Sequence, residues 1–464
     1  MTPDQALAGA RPAVFWLEDP QRPPVLPPLR GAGAADLVVV GGGYTGLWTA
    51  LRALERDPGR SVVVLEAGRC GEEASGRNGG FADASLTHGF ANGQARWPEE
   101  MATLERLGAE NLRAIGETVQ RHGIDCCWET PGELTVARAP HEVDELAAVA
   151  AQMGAAGHDV QVLDAAQTRA RVDSPAYLGG LLDLHGTALV EPARLAWGLR
   201  RACLERGAVV HEHSAVTSLE RDGASVVVRT ARGSVRSARV ALATNAFPPL
   251  LRRLRLMTVP VYDHVLMTEP LSEARLASIG WGGREGVGDA GNLFHYSRLT
   301  RDSRILWGGY DASYHYGSRI DRSLEQSDRV HGLLARTFLA TYPQLEGLRF
   351  SHRWGGVIDT STRFSAFFGT AHAGRVAYAL GFTGLGVAAT RFAADVVLDL
   401  LGGHETERTT LRMVREKPLP FPPEPVRYAG IQATRRSMAR ADRNGGRQDL
   451  WLKTLDRLGL GFDS

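Results

Sequence analysis

Apolar and polar positions change period along the chain, and the first clear change falls between residues 36 and 66. Residues 37–40 (LVVV) are a short apolar run, three glycines follow, and Leu47, Ala50, Leu51 and Leu54 then recur at helical spacing. The spacing predicts a strand, a tight turn and a helix that closes at Asp57-Pro58-Gly59. A second buried strand over residues 62–65 delivers Glu66 at its carboxyl end, completing a βαβ unit.

Further along, residues 97–122 and 140–156 read as amphipathic helices, with a short strand over 132–136 between them. A helix opened by Pro192 runs to Arg206, followed by strands in GAVVHEH, VTSLERDGASVVVRT and RVALATNAF. Residues 256–316 are strand-rich and aromatic, which suggests an antiparallel sheet carrying a pocket. RVAYALGFTGLGVAATRFAADVVLDLL repeats the order strand, glycine turn, helix, and residues 403–464 form a tail rich in proline and arginine. The expected division is an extension over 1–35, a discontinuous nucleotide-binding domain over 36–86, 188–250 and 365–402, and a substrate domain over 87–187 and 251–364.

The first glycine turn has the pattern Gly41-x-Gly43-x-x-Gly46. Such glycines permit a tight reversal, close approach of a pyrophosphate, and close packing of helix on strand, while the helix start offers amide hydrogens and partial positive charge. Glu66, followed by Ala67, stands where an acid can accept both ribose hydroxyls of an adenosine. A nicotinamide enzyme would continue with more alternating strands and helices. Here the chain breaks into EAGRCGEEASGRNGGF, small and polar residues suited to lie along an extended cofactor. Ser75, Arg77 and Asn78 can hydrogen-bond such a cofactor, and Gly79 and Gly80 admit a flat ring against the backbone. FAD fits this better than NAD. Gly381, Gly384 and Gly386 place a second helix start where it could stabilise negative charge.

Charge narrows the partners. Lysine and arginine total 53 against 52 acidic residues, a formal net charge of +1, so no field of one sign would steer a nucleic acid. No apolar run reaches the ~18 to 20 residues of a membrane helix, and the start lacks a secretory pattern. Four cysteines in so long a chain suggest a reducing, cytoplasmic setting, and the adjacent Cys126 and Cys127 lack a second pair at zinc spacing, so no metal is expected.

These stretches together resemble the FAD-dependent amine and amino-acid oxidoreductases related to D-amino-acid oxidase, glycine oxidase and sarcosine oxidase. The likeness covers residues 36–402 and rests on VVVGGGYTGLWTA, VVLEA, ASGRNGG, EPARLAWGLRRACLERGA, VALATNAF, RWGGVID and GFTGLGVAATRFAAD. It is nearest the gamma-glutamylputrescine oxidoreductase-like members. The resemblance implies an α/β fold: a Rossmann-like FAD-binding domain of the glutathione-reductase type, interleaved with an α+β substrate domain on a mixed or antiparallel sheet. It also implies that Gly41, Gly43, Gly46, Glu66, Ser75, Arg77, Asn78, Gly79 and Gly80 line the cofactor. Gly384, Leu385 and Gly386 would offer amides to the flavin pyrimidine edge.

Departures from the family bear on chemistry. Where glycine and D-amino-acid oxidases place an arginine for the substrate carboxylate, this chain has Ile358, and a branched alkyl group cannot act as a bidentate clamp. A free α-carboxylate is then not the main handle unless Arg298 or Arg363 reaches in. Residues 359–370 hold no cysteine, so noncovalent FAD is expected. The only lysines are Lys417 and Lys453, and Trp307 stands near the point where the sarcosine oxidase branch has a lysine that promotes reaction with oxygen. Oxygen or another acceptor therefore both stay open.

The implied reaction is hydride-equivalent transfer from the carbon beside nitrogen to flavin N5, giving an imine that water hydrolyses. Deprotonating a primary alkylammonium of pKa ~10.4 at pH 7 costs about 4 to 5 kcal/mol, so an apolar, aromatic pocket would favour the reactive neutral amine. Tyr262, His295, Tyr296, Tyr310 and Trp354 are the candidate pocket residues, with His295 as a proton relay. The reading is oxidation of the C–N bond of an amine or N-substituted amino acid. Alternatives are a glycine or D-amino-acid oxidase using another arginine, and a flavin-binding subunit of a larger assembly without chemistry of its own.

Overall fold

The apolar runs meet in one sheet. In the computed structural model, which describes residues 1–460, the strands Val376–Leu380, Gly233–Leu242, Gly31–Val40, Val62–Leu65 and Val209–His211 lie side by side in that order, all parallel. Phe367–Ala371 adds an antiparallel edge, and Val216–Asp222 with Ser225–Thr230 forms an antiparallel meander on Gly233–Leu242. Successive side chains of a strand point to opposite faces. Leu37 and Val39 accordingly enter a core with the helices Tyr44–Arg56, Pro192–Glu205 and Gly386–Gly402, while Val38 and Val40 enter a second core with Val226 and Val228 of the meander. Burial on both faces explains why the central strands read as unbroken apolar runs.

This sheet draws on three separated stretches of chain, and its first strand begins at Gly31 rather than at residue 36. The helices that follow the two glycine turns are tied together by ion pairs. Arg56 reaches Asp395 at 2.6 Å and Asp399 at 2.7 Å, and Arg52 reaches Asp395 at 3.1 Å.

The second sheet has nine strands. Its spine is the long antiparallel pair Thr258–Thr268 and Phe350–Ser361, extended through Ile305–Gly309, His295–Leu299 and Gly286–Asp289. Glu133–Ala137 joins Gly286–Asp289 in parallel, which makes the sheet mixed; Gly179–Asp183 and Val160–Asp164 follow it, and the short Ser313–Tyr314, paired with Thr258–Thr268, completes it. Helix Asp328–Thr341 packs behind it through Leu334 and Phe338 against Leu266 and Trp307. The fold is thus the Rossmann-like α/β domain with an interleaved α+β domain.

Both termini are more structured than extension and tail. Arg11 bridges to His352 at the sheet edge, and Trp16 Nε1 donates to the Asn78 carbonyl at 3.1 Å. The tail folds into helices Val426–Arg443 and Leu450–Arg457. The longer one buries only Arg427, Ser437 and Ala441, so its sequence carries no apolar stripe from which a helix could be read. Among the described residues no helix is long and apolar enough to cross a membrane, and no group of three or more His, Cys, Asp or Glu is arranged to hold a metal ion.

Candidate active site

Two helix starts open on one cavity. Its volume is about 2250 Å³, and it runs from Glu66 past residues 75–80 to Gly384, Leu385 and Gly386, then out along the second sheet. A site for one small ligand occupies ≈ 300–1,000 Å³, so this space accommodates a dinucleotide together with a substrate.

At the first start Gly43 is the N-cap and has no side chain to satisfy the first-turn amides; Ser75 Oγ accepts one of them, from Tyr44, at 2.9 Å. Gly41 holds φ +111°, and a Cβ there would run into the carbonyl of Ala243; a Cβ on Gly46 would strike the carbonyl of Gly41. Gly46 therefore serves helix packing and is not on the cavity surface, whereas Gly41 and Gly43 are. Glu66 Oε2 accepts from the Gly42 amide at 2.6 Å and Oε1 from Gly68 at 2.7 Å, fixing the carboxylate in the cavity wall beside Ala67. Burial raises its pKa, and the two amides oppose that rise.

The loop that follows is held by its own polar residues. Asn78 Nδ2 donates to the carbonyls of Ala74 at 2.9 Å and Ser75 at 3.2 Å, and its Oδ1 accepts from Gly80 at 2.9 Å. Arg77 is buried, pairs with Glu325 at 2.6 Å and donates to the Glu72 carbonyl at 2.8 Å. Ser75, Arg77 and Asn78 all line the cavity, with side chains engaged in building the cradle. Trp354 supports it from behind: its Nε1 donates to the Arg77 carbonyl at 2.9 Å, and its side chain is buried away from the cavity surface.

The second start is shaped by Asp359, the last residue of RWGGVID, whose role the sequence pattern does not reveal. Its carboxylate accepts from the amides of Gly381 and, at 3.2 Å, Phe382, and its carbonyl accepts from Thr383 at 3.2 Å. Burial pushes this carboxyl up to about 7 against the pull of those amides. The turn thus held carries Gly384 at φ +95° and leaves helix Gly386–Gly402 without a side-chain cap. Uncapped amides at two helix starts, a fixed acid at the end of strand Val62–Leu65 and a glycine cradle between them suit the diphosphate, ribose and flat ring of FAD.

Beyond the cradle, Tyr296 lies against Gly79, where a Cβ would come within 2.7 Å of its ring. Gly308 leaves the room on the sheet side, and the Tyr296 hydroxyl donates to Asp263 Oδ2 at 2.6 Å. Asp263 also accepts from the His264 amide at 2.8 Å, and burial pushes its carboxyl up to about 6. The signal for Asp263 in the sequence is a single acid inside the apolar strand VPVYDHVLMT. Tyr262, Tyr310, Tyr314 and Phe382 supply aromatic lining.

Residues 36–400 match the protein family described as DAO, FAD dependent oxidoreductase. The chain belongs to that family. FAD is accordingly its cofactor, and it is an oxidoreductase. Gamma-glutamylputrescine oxidoreductase of Escherichia coli is 36% identical over 383 residues, 79% of this chain and 84% of that protein. A probable oxidoreductase, OrdL, of Haemophilus influenzae is 30% identical over 391 residues, 82% and 85% of the two chains. The crystal structure of glycine oxidase from Geobacillus kaustophilus superposes with a TM-score of 0.70 at 21% identity, covering 83% of this chain and 99% of that one.

Within this family member, several residues singled out in the sequence lie off the cavity. His295 is 1% exposed and sits behind the wall: Nδ1 is 2.5 Å from Asp289 Oδ2, Nε2 is 2.9 Å from Thr337 Oγ1, and its ring is stacked between Trp307 and Tyr310. Desolvation lowers its pKa despite the carboxylate. Trp307 faces the helix side with Phe338, so it does not occupy the cavity, and no lysine lines the cavity either. Arg298 spends its guanidinium on the Val190 carbonyl at 2.6 Å, and Arg363 on the carbonyls of Ala366, Met413 and Glu416. Neither reaches the cavity, whereas Ile358 does, close to Gly384.

Proposed function

We propose that the protein oxidises the C–N bond of a cationic amine to an imine, with Asp263 and Tyr296 as the groups that receive the amine. The observation that carries this is the Asp263–Tyr296 pair, a carboxylate and a phenol joined at 2.6 Å in the cavity wall beside Gly79. An ammonium group arriving there meets an acceptor of opposite charge, while Tyr296 fixes the orientation of that acceptor. Bound FAD supplies the hydride-accepting chemistry. Gly41, Gly43, Glu66, Ser75, the loop of Arg77 to Gly80, and the amides of residues 384–386 would hold it. Tyr262, Tyr310 and Phe382 exclude water, which favours the neutral amine once its proton has left. The two arginines considered as carboxylate clamps are committed elsewhere, and this favours an amine handle over an α-carboxylate handle. The E. coli relative's name points to the same substrate class. With all four cysteines outside the cavity, noncovalent attachment is proposed, the flavin leaving the protein on acid precipitation.

Anaerobic titration of the purified flavoprotein with a panel of amines tests the reading. Bleaching of the flavin by amines that lack a carboxylate is expected. Bleaching by glycine or D-amino acids alone would overturn it in favour of an amino-acid oxidase, and bleaching by no amine would favour a flavin-binding subunit. Admitting air then shows whether oxygen or another acceptor reoxidises the flavin.

A further inference from the structure

The family match ends at residue 400, yet residues from Leu419 to Leu460 continue to line the cavity. Helix Val426–Arg443 turns one face to it: Arg427, Ile431, Thr434, Met438 and Asp442 recur at spacings of three and four, one side of a helix. Leu455 of helix Leu450–Arg457 adds to the same wall.

Charged side chains of this face are engaged by the substrate domain and by the segment itself. Asp442 accepts from the Asn292 amide at 3.1 Å, from Asn292 Nδ2 at 2.6 Å and from the Leu293 amide at 3.1 Å. Arg435 pairs with Asp311, next to Tyr310, and Glu424 accepts from the Gly317 amide at 3.0 Å while pairing with Arg427 at 3.2 Å. The approach to the helix is fixed as well, with Phe421 N donating to the Leu256 carbonyl and Thr362 Oγ1 to the Leu419 carbonyl, both at 2.7 Å. Arg427, Arg435 and Asp442 line the wall engaged in these contacts, and among them Ile431, Met438, Leu455 and the hydroxyl residue Thr434 line the cavity.

We infer that the C-terminal helical segment is the specificity wall of the cavity and receives the uncharged chain of the substrate, the part remote from the reacting nitrogen. This rests on the amine reading above. The cavity then has two walls of different chemistry. Asp263 and Tyr296 meet the charged end, and the segment outside the family match selects by length and bulk.

Two measurements on the flavin-loaded full-length protein decide it. In Met438→Trp the added ring takes up wall space, so the ratio of KM for hexylamine to KM for propylamine is expected to rise about tenfold or more. In Asp442→Ala the wall loses its anchor to residues 292 and 293, so iodide quenching of flavin fluorescence is expected to increase about twofold or more. An unchanged chain-length ratio in the first variant, or unchanged quenching in the second, overturns the inference. Should no amine bleach the wild-type flavin, the amine reading fails, and the quenching result still decides whether the segment covers the cavity.

Discussion

Asp263 stands in an apolar strand whose neighbours Val259, Val265 and Leu266 are all buried. A carboxyl there costs free energy unless it is hydrogen-bonded, and the Tyr296 hydroxyl and the His264 amide meet that need. Its position implies a purpose beyond packing. Tyr296→Phe keeps the ring and removes one bond to a charged group, worth about 1.5–3 kcal/mol. The rate of anaerobic flavin reduction by amine is expected to fall roughly 10- to 100-fold, read by stopped-flow absorbance with flavin content unchanged. Gly79→Ala tests the cradle, because its Cβ would meet the Tyr296 ring at 2.7 Å. Strain of about 1–3 kcal/mol should weaken FAD binding tenfold or more, measured by titrating FAD into apoprotein.

At the scale of elements, the two glycine turns resemble each other in sequence and are locked together in space through Asp395, which is 5% exposed and contacts Arg52 and Arg56. Asp395→Ala removes the bond between the two helices at this point but leaves Arg56 with Asp399 and Arg52 with Glu55, and should cost about 1.5–3 kcal/mol in urea unfolding. Asp222→Ala, which removes an exposed pair with Arg236, should cost no more than about 1 kcal/mol. The strand-turn-helix units were legible because continuous apolar runs, glycines and helical spacing all pointed the same way. Individual pocket residues were harder. His295 and Tyr296 are adjacent on one strand, and alternation sends one behind the wall and the other to the cavity, a choice that strand composition does not reveal. Asp359 was missed because its partners are 22 and 23 residues away in sequence. The tail helix is hard to read because its inward face, Arg427, Ile431, Thr434, Met438 and Asp442, mixes polar with apolar residues and so makes no apolar stripe.

For the whole molecule, buried ionisable groups set the dependence of stability on pH. Glu133, Asp359 and Asp263 are pushed up to about 8, 7 and 6 by burial, so each binds its proton more tightly folded than unfolded. Their contributions to stability therefore grow as pH falls through those values toward about 4. His264 and His331 are lowered to about 4 by desolvation and must be protonated on unfolding, so each subtracts stability as pH falls below about 6.5. The Tm of the apoprotein should rise between about pH 8.5 and 6.5 and then level off, and in Asp359→Asn the rise should be shallower, read by calorimetry across that range. The interleaving of the two domains also sets an order of events during synthesis. Glu66 and the first glycine turn leave the ribosome early, but the strand Val376–Leu380 and the second helix start come some 300 residues later, roughly 15 to 60 s at ordinary elongation rates. Until then the nascent chain has half a cradle and an open sheet edge, so cofactor capture belongs to the last stage of translation, and chains truncated before residue 386 should emerge colourless.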